Sequence, residues 1–121
     1  MTWMYIVSER KFYLNDVYQF DAMYAGAPGF KNMPAFQCIK NKGPLPAGIY
    51  TINPPRYSPL TGPYSLPLTP HKDNAMCGRA GFVIHGDSQK FPGTASRGCI
   101  VADFGYRRTI WNSGDHRLVI K

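Results

Sequence analysis

The sequence predicts a mainly β domain, a sandwich or barrel of about seven or eight short strands with one short helix near the C-terminus. Three observations carry this. Twelve glycines and eleven prolines punctuate 121 residues, too densely for long helices. The apolar runs between them are short and rich in aromatic and β-branched residues, as strands require. The composition, 44% apolar and 17% charged, is that of a packed globule rather than a disordered chain. At this length a single domain, 1–121, is expected, large enough to bury a core without metal or disulfides.

Taken in order, residues 3–7 and 12–14 read as two strands joined by the polar turn "SERK". "VYQFDAMYAG" continues with loosely alternating aromatics, and "AGAPGFKNMP" is a loop by composition. "AFQCIKN" alternates as a strand does. In "KGPLPAGIYTI", Pro44 and Pro46 bar a helix, Gly48 permits a tight corner and a strand follows. Residues 53–81 hold six prolines and little periodicity, which predicts a long irregular excursion of the kind that forms lids or substrate walls. "GFVIHG" and "GCIVAD" are short strands with glycine at their ends. "DFGYRRTIWNSG" is the helix: Asp103 can cap its start, Asn112 and Gly114 can stop it, and Phe104, Arg107 and Trp111 fall on neighbouring turns. "HRLVIK" closes the chain as a strand.

The formal charge of +7 is scattered, with no basic run and no helix-turn-helix, zinc-finger or RNP-like pattern, so nucleic acid is not expected as a partner. Solubility or an anionic ligand accounts for it. Membrane insertion is not expected, because no apolar stretch is long enough. "MTWMYIVSERKF" lacks a basic leader and a cleavage site, which predicts synthesis in the cytoplasm without a standard signal peptide. The three cysteines, Cys38, Cys77 and Cys99, include no C-x-x-C pair, so neither a metal nor another cofactor is expected. A Cys38–Cys77 bridge is open but not required.

The chemistry concentrates in "FVIHGDSQKFPGTASRGCIV", residues 82–101. His85 ends one apolar strand and Cys99 precedes another; antiparallel pairing would bring them together, with 86–98 covering the site. A nucleophilic cysteine needs thiolate character, a base, a group that orients the base, and donors for an oxyanion. His85 is the candidate base. Either the Gly86 carbonyl or the Asp87 carboxylate can orient it. The amides of Gly98 and Cys99 are candidate oxyanion donors. The alternative for an isolated cysteine is a buried, inert thiol.

"HGDSQKFPGTASRGC" resembles the His…Ser-x-Gly-Cys signature of YkuD-type L,D-transpeptidase domains. "YAGAPGFKN" and "NKGPLPAGIYTI" resemble segments of a smaller branch, the L,D-transpeptidase-like effectors of bacterial type VI secretion. The resemblance implies a β-rich fold around a cleft and a cysteine acyl-enzyme acting on peptidoglycan tetrapeptide stems. The reaction would be L,D-carboxypeptidation or D-amino-acid exchange, carried out in the periplasm of a target bacterium. It also implies toxicity there and a cognate immunity protein. Ser96, Arg97, Arg79, Tyr24, Asn32 and Lys31 are the implied cleft residues, with the arginines gripping stem carboxylates. Arg97 stands where the larger family has a second histidine, and Val101 where it carries Arg or Asn; both favour the effector-like branch. His71 and His116 are expected outside the chemistry. The competing readings are a non-enzymatic wall-binding or phage structural module and, more remotely, a zinc hydrolase using His71, His85 and Cys99. An NlpC/P60-type peptidase is disfavoured, because it places the cysteine before the histidine.

Overall fold

The computed structural model describes residues 2–121. Ten strands form: β1 (Trp3–Ile6), β2 (Lys11–Leu14), β3 (Val17–Asp21), β4 (Tyr24–Ala25), β5 (Gly48–Ile52), β6 (Arg56–Ser58), β7 (Gly62–Pro70), β8 (Val83–His85), β9 (Ile100–Val101) and β10 (Arg117–Ile120). One α-helix, α1 (Phe104–Asn112), and a 3₁₀ turn at Pro34–Phe36 complete the elements among the described residues. The strands pair in the order β3-β2-β1-β10-β5-β7-β8-β9-β4, with β6 on β7. The fold is thus mainly β with one short helix near the C-terminus, as the glycine and proline punctuation predicts.

Strand periodicity builds the core. In β1, Trp3 and Tyr5 are buried while Met4 and Ile6 are half-buried, the period of two that a one-sided sheet demands. Parallel pairing with β10 sets Trp3 opposite Leu118 and Tyr5 opposite Ile120, so buried residues meet buried residues. Phe12, Tyr50, Leu66, Ile84 and Ile100 extend this cluster along the sheet, and Ile110 brings α1 into it. The helix packs against β7 and β8, the strands behind the His85 region.

Four expectations change. Residues 53–81 are not an irregular excursion: nine of them form β7, which pairs with β5, β6 and β8. Its prolines are tolerated because they supply carbonyls where no amide is needed; Pro67 accepts from the Asn53 amide at 2.8 Å. "AFQCIKN" is not a strand. It begins as the 3₁₀ turn, with Pro34 opening it, and its Cys38 is disulfide-bonded to Cys77. β8 and β9 pair parallel rather than antiparallel, Ile84 opposite Ile100 and His85 opposite Val101. Residues 86–98 are therefore most of a crossover, long enough to return the chain in the same direction. Asp103 stands at the N-cap of α1, but its side chain makes no capping bond.

Candidate active site

His85 closes β8 and is 2% exposed. Its Nδ1 lies 2.7 Å from the Gly86 carbonyl oxygen. A carbonyl only accepts, so Nδ1 carries the proton and Nε2 keeps its lone pair. Burial pushes the imidazole pKa down. The Gly86 carbonyl raises it, the Arg107 guanidinium lowers it and Asp87 raises it; the net position is below the ordinary histidine value. At neutral pH the ring is neutral, the state a general base requires.

Of the two orienters open in the sequence, the Gly86 carbonyl holds the ring. Asp87 is otherwise engaged: its carboxylate accepts from the Tyr24 hydroxyl at 2.6 Å and from the amides of Ser88 and Gly93. Tyr24 in turn accepts from the Ala95 amide at 2.8 Å, and Lys31 lies over its ring. Tyr24 is buried and ties the 86–98 crossover down rather than lining the cleft. Burial would raise the Asp87 pKa, but the Tyr24 hydroxyl, the two amides and Lys31 outweigh it and hold the carboxyl below its usual range.

The parallel register sets Cys99 one diagonal step from His85, two residues before Val101 on the neighbouring chain segment. The thiol is half-buried and its hydrogen bond runs to the Gly81 carbonyl at 4.0 Å. Among the described residues no hydrogen bond joins it to the imidazole; such contacts commonly tighten only when substrate binds. Burial pushes the thiol pKa up, while the Val83 amide, the Arg79 guanidinium and the amide of Cys99 itself pull the other way without overcoming it.

A cleft of about 510 Å³ holds both groups. Lys40, Asn41, Leu60, Thr61, Gly81, Phe82, Thr94 and Arg97 share its walls. None of its lining residues is acidic, and three are cationic: Lys40, Arg79 and Arg97. Arg97 is exposed, free to meet an anion. Arg79 is not. It is 7% exposed and its two terminal nitrogens donate to the carbonyls of Gln37, Pro44, Gly43 and Arg97, so it is a buried staple between cleft walls rather than a carboxylate grip.

Ser96 also turns away from substrate. Its hydroxyl donates to the Cys99 carbonyl at 2.7 Å and accepts from the amides of Gly26 and Gly98 at 3.0 Å each. The Gly98 amide is thereby engaged and does not face the cleft as an oxyanion donor; the amides that act on the sulfur are those of Cys99 and Val83. Gly98 itself is required: at φ +139° a Cβ would stand 2.6 Å from Arg79 Nη2 and 2.9 Å from the Gly43 carbonyl. Asn32, at φ +60°, accepts from the Ala25 amide and shapes the loop beside Tyr24, outside the cleft lining. His71 pairs with Asp73 on the surface outside the cleft lining, and His116 stacks on Trp111; among the described residues His71, His85 and Cys99 form no ligand cluster. Neither Lys40, within a segment whose alternation resembles a strand, nor the burial of Arg107 behind His85 carries a local signal in the sequence.

The fold resembles solved L,D-transpeptidases. An L,D-transpeptidase from Xylanimonas cellulosilytica superposes with a TM-score of 0.54 at 14% identity, and one from Mycobacterium smegmatis with 0.52 at 13%. Bd1075 of Bdellovibrio bacteriovorus superposes with 0.61 at 16%. Each match covers 99% of this chain, whereas the chain spans only 47% of Bd1075 and 59% and 58% of the two transpeptidases. No curated protein matches the sequence. The Tlde1 domain matches residues 19–113, which include every residue of the cleft. The chain belongs to the Tlde1 domain family, the type VI secretion L,D-transpeptidase effectors whose segments its own resemble.

Proposed function

We propose that the protein is a cysteine enzyme that cuts or exchanges the terminal D-alanine of peptidoglycan tetrapeptide stems, acting as an antibacterial type VI secretion effector. The observation that carries this reading is a single cleft holding Cys99 and a neutral His85 whose Nδ1 proton is fixed on a carbonyl. Membership of the Tlde1 domain family and a fold shared with L,D-transpeptidases support the same reading.

The resting pair is thiol and imidazole, since one pKa is raised and the other lowered. Proton transfer therefore accompanies attack. Nε2 takes the thiol proton as Sγ bonds to the carbonyl carbon at the L-centre of diaminopimelate. The amide C–N bond then breaks, and the imidazolium returns the proton to the departing amine of D-alanine. The product is a thioester on Cys99. Water, deprotonated by His85, hydrolyses it and restores the thiol, giving L,D-carboxypeptidation. A D-amino acid amine in place of water gives exchange. The Cys99 amide is the donor best placed for the oxyanion. Lys40 and Arg97 attract the stem carboxylates. Removal of the terminal residue consumes donors for later cross-links, which makes the enzyme toxic in the periplasm and calls for an immunity protein that occludes the cleft.

The test is a digest of disaccharide tetrapeptides with wild type and Cys99→Ala, with and without an added D-amino acid, read by mass spectrometry. The wild type alone should release D-alanine, and exchange should appear as incorporation of the added residue. Unchanged muropeptides with both proteins, together with binding of both to intact sacculi, would replace this reading with a wall-binding module.

A further inference from the structure

We propose that Arg107 is the positioning residue of this site, clamping the His85–Gly86 peptide from behind so that the imidazole meets the cleft in one fixed orientation. The proposal rests on the reading of His85 as the base, and it concerns a residue that does not line the cleft.

Arg107 is 5% exposed on the inner face of α1. A buried guanidinium is costly unless its donors are satisfied, and a leucine would pin a helix to a sheet without that cost. Its partners here are carbonyls from separate elements. Nε donates to Ala102 at 3.1 Å, and Nη1 donates to Pro63 at 2.9 Å and Tyr64 at 3.0 Å, both in β7. The Ala102 amide donates to the His85 carbonyl at 2.9 Å, so the first of these bonds is one step from the histidine backbone. The remaining nitrogen, Nη2, lies against Gly86: a Cβ there would stand 2.9 Å from it. Gly86 is the residue whose carbonyl holds Nδ1. Its φ is not positive, so the neighbouring guanidinium, not the backbone, is what selects glycine at this position. One planar fork thus fixes β7, the β9–α1 junction and the end of β8 relative to each other.

The same charge acts on the ring. Arg107 faces His85 from α1, Asp87 from the crossover and Cys99 from beside β9, while Arg79, Arg97 and Lys40 share the cleft. After burial, Arg107 is the influence that disfavours the imidazolium, against the Gly86 carbonyl and Asp87. Its removal should raise the histidine pKa.

The test combines NMR titration of the His85 ring with the pH profile of kcat/KM in three variants. In Arg107→Gln the ring midpoint and the acid limb of the profile should both move to higher pH. Arg107→Lys, which keeps charge and loses the fork, should leave the midpoint near wild type and lower kcat about 10–100-fold with little change in KM. Gly86→Ala, which pushes the guanidinium away, should shift the midpoint upward and lower kcat as well. Wild-type titration in Arg107→Gln, or wild-type kcat in Arg107→Lys and Gly86→Ala, would overturn the proposal. Should Arg107→Gln fail to fold, the other two variants decide. The titration needs only folded protein, so a wild type inactive on muropeptides would defeat the enzymatic reading without disturbing this measurement.

Discussion

Cys99 and His85 rest in the less reactive form of the pair, and this fixes their pH behaviour. Burial holds the thiol above its ordinary pKa and the imidazole below its own. Alkylation of Cys99 by iodoacetamide should therefore climb with pH to a midpoint above the ordinary thiol value, whereas kcat/KM should persist below pH 6.5, because His85 stays neutral there. Peptide mapping of the alkylated protein checks the first and a pH–rate profile the second. A thiolate formed by pH 6 would contradict the general-base mechanism. Ser96→Ala should cost about 1–3 kcal/mol, because the buried Gly26 and Gly98 amides lose their acceptor; chemical unfolding reads this directly. At this scale the sequence exposes residue types but not their partners. Glycine beside both His85 and Cys99 marks the pair. Nothing local tells that Arg79 is taken up by four carbonyls while Arg97, eighteen residues later, stays in solvent.

Two connections shape the cleft at the scale of elements. The 86–98 crossover is tied by Asp87 to Tyr24 and to its own amides. Because this carboxyl is held below its usual range, its contribution to stability is complete above the ordinary carboxylate pKa. It is lost as pH falls through the lower folded value. Protection factors of the crossover amides, exchange taken relative to the intrinsic rate at each pH, should fall at acid pH in wild type and be lowered already at neutral pH in Asp87→Asn. The other connection is the Cys38–Cys77 disulfide, which joins the segment bearing Lys40 and Asn41 to the one bearing Gly78 and Arg79, all of them cleft residues. With a sequence separation of 39, its loss in Cys38→Ser should cost about 3–4 kcal/mol of stability, measured by thermal unfolding, and raise KM by loosening that wall. The alternation in "AFQCIKN" reads as a strand, yet Phe36 is half-buried against nearby Phe30 and Cys38 is exposed and tied to Cys77, contacts that periodicity cannot distinguish from a sheet face. β7 is hidden for the converse reason, since its prolines look like breakers although Pro67 and Pro63 serve as carbonyl acceptors, for the Asn53 amide and the Arg107 guanidinium.

The whole molecule carries a formal charge of +7, and its cleft is lined by Lys40, Arg79 and Arg97 with no carboxylate. Lys40→Glu and Arg97→Glu should each raise KM for tetrapeptide stems about two- to fivefold while leaving kcat close to wild type, and added salt should narrow the difference. Steady-state kinetics at two ionic strengths check this. The β class and the terminal helix are legible because turn residues and short apolar runs are local signals. The parallel pairing of β8 with β9 and of β1 with β10 is not, because it depends on which distant strands the core brings together. The most direct measurement of the central claim is intact-protein mass spectrometry of the enzyme quenched during turnover of disaccharide tetrapeptide. The account predicts an adduct with the mass of the substrate less D-alanine, mapped to Cys99 and absent from Cys99→Ala. Release of D-alanine with no adduct at Cys99, or an adduct that persists in Cys99→Ala, would contradict it.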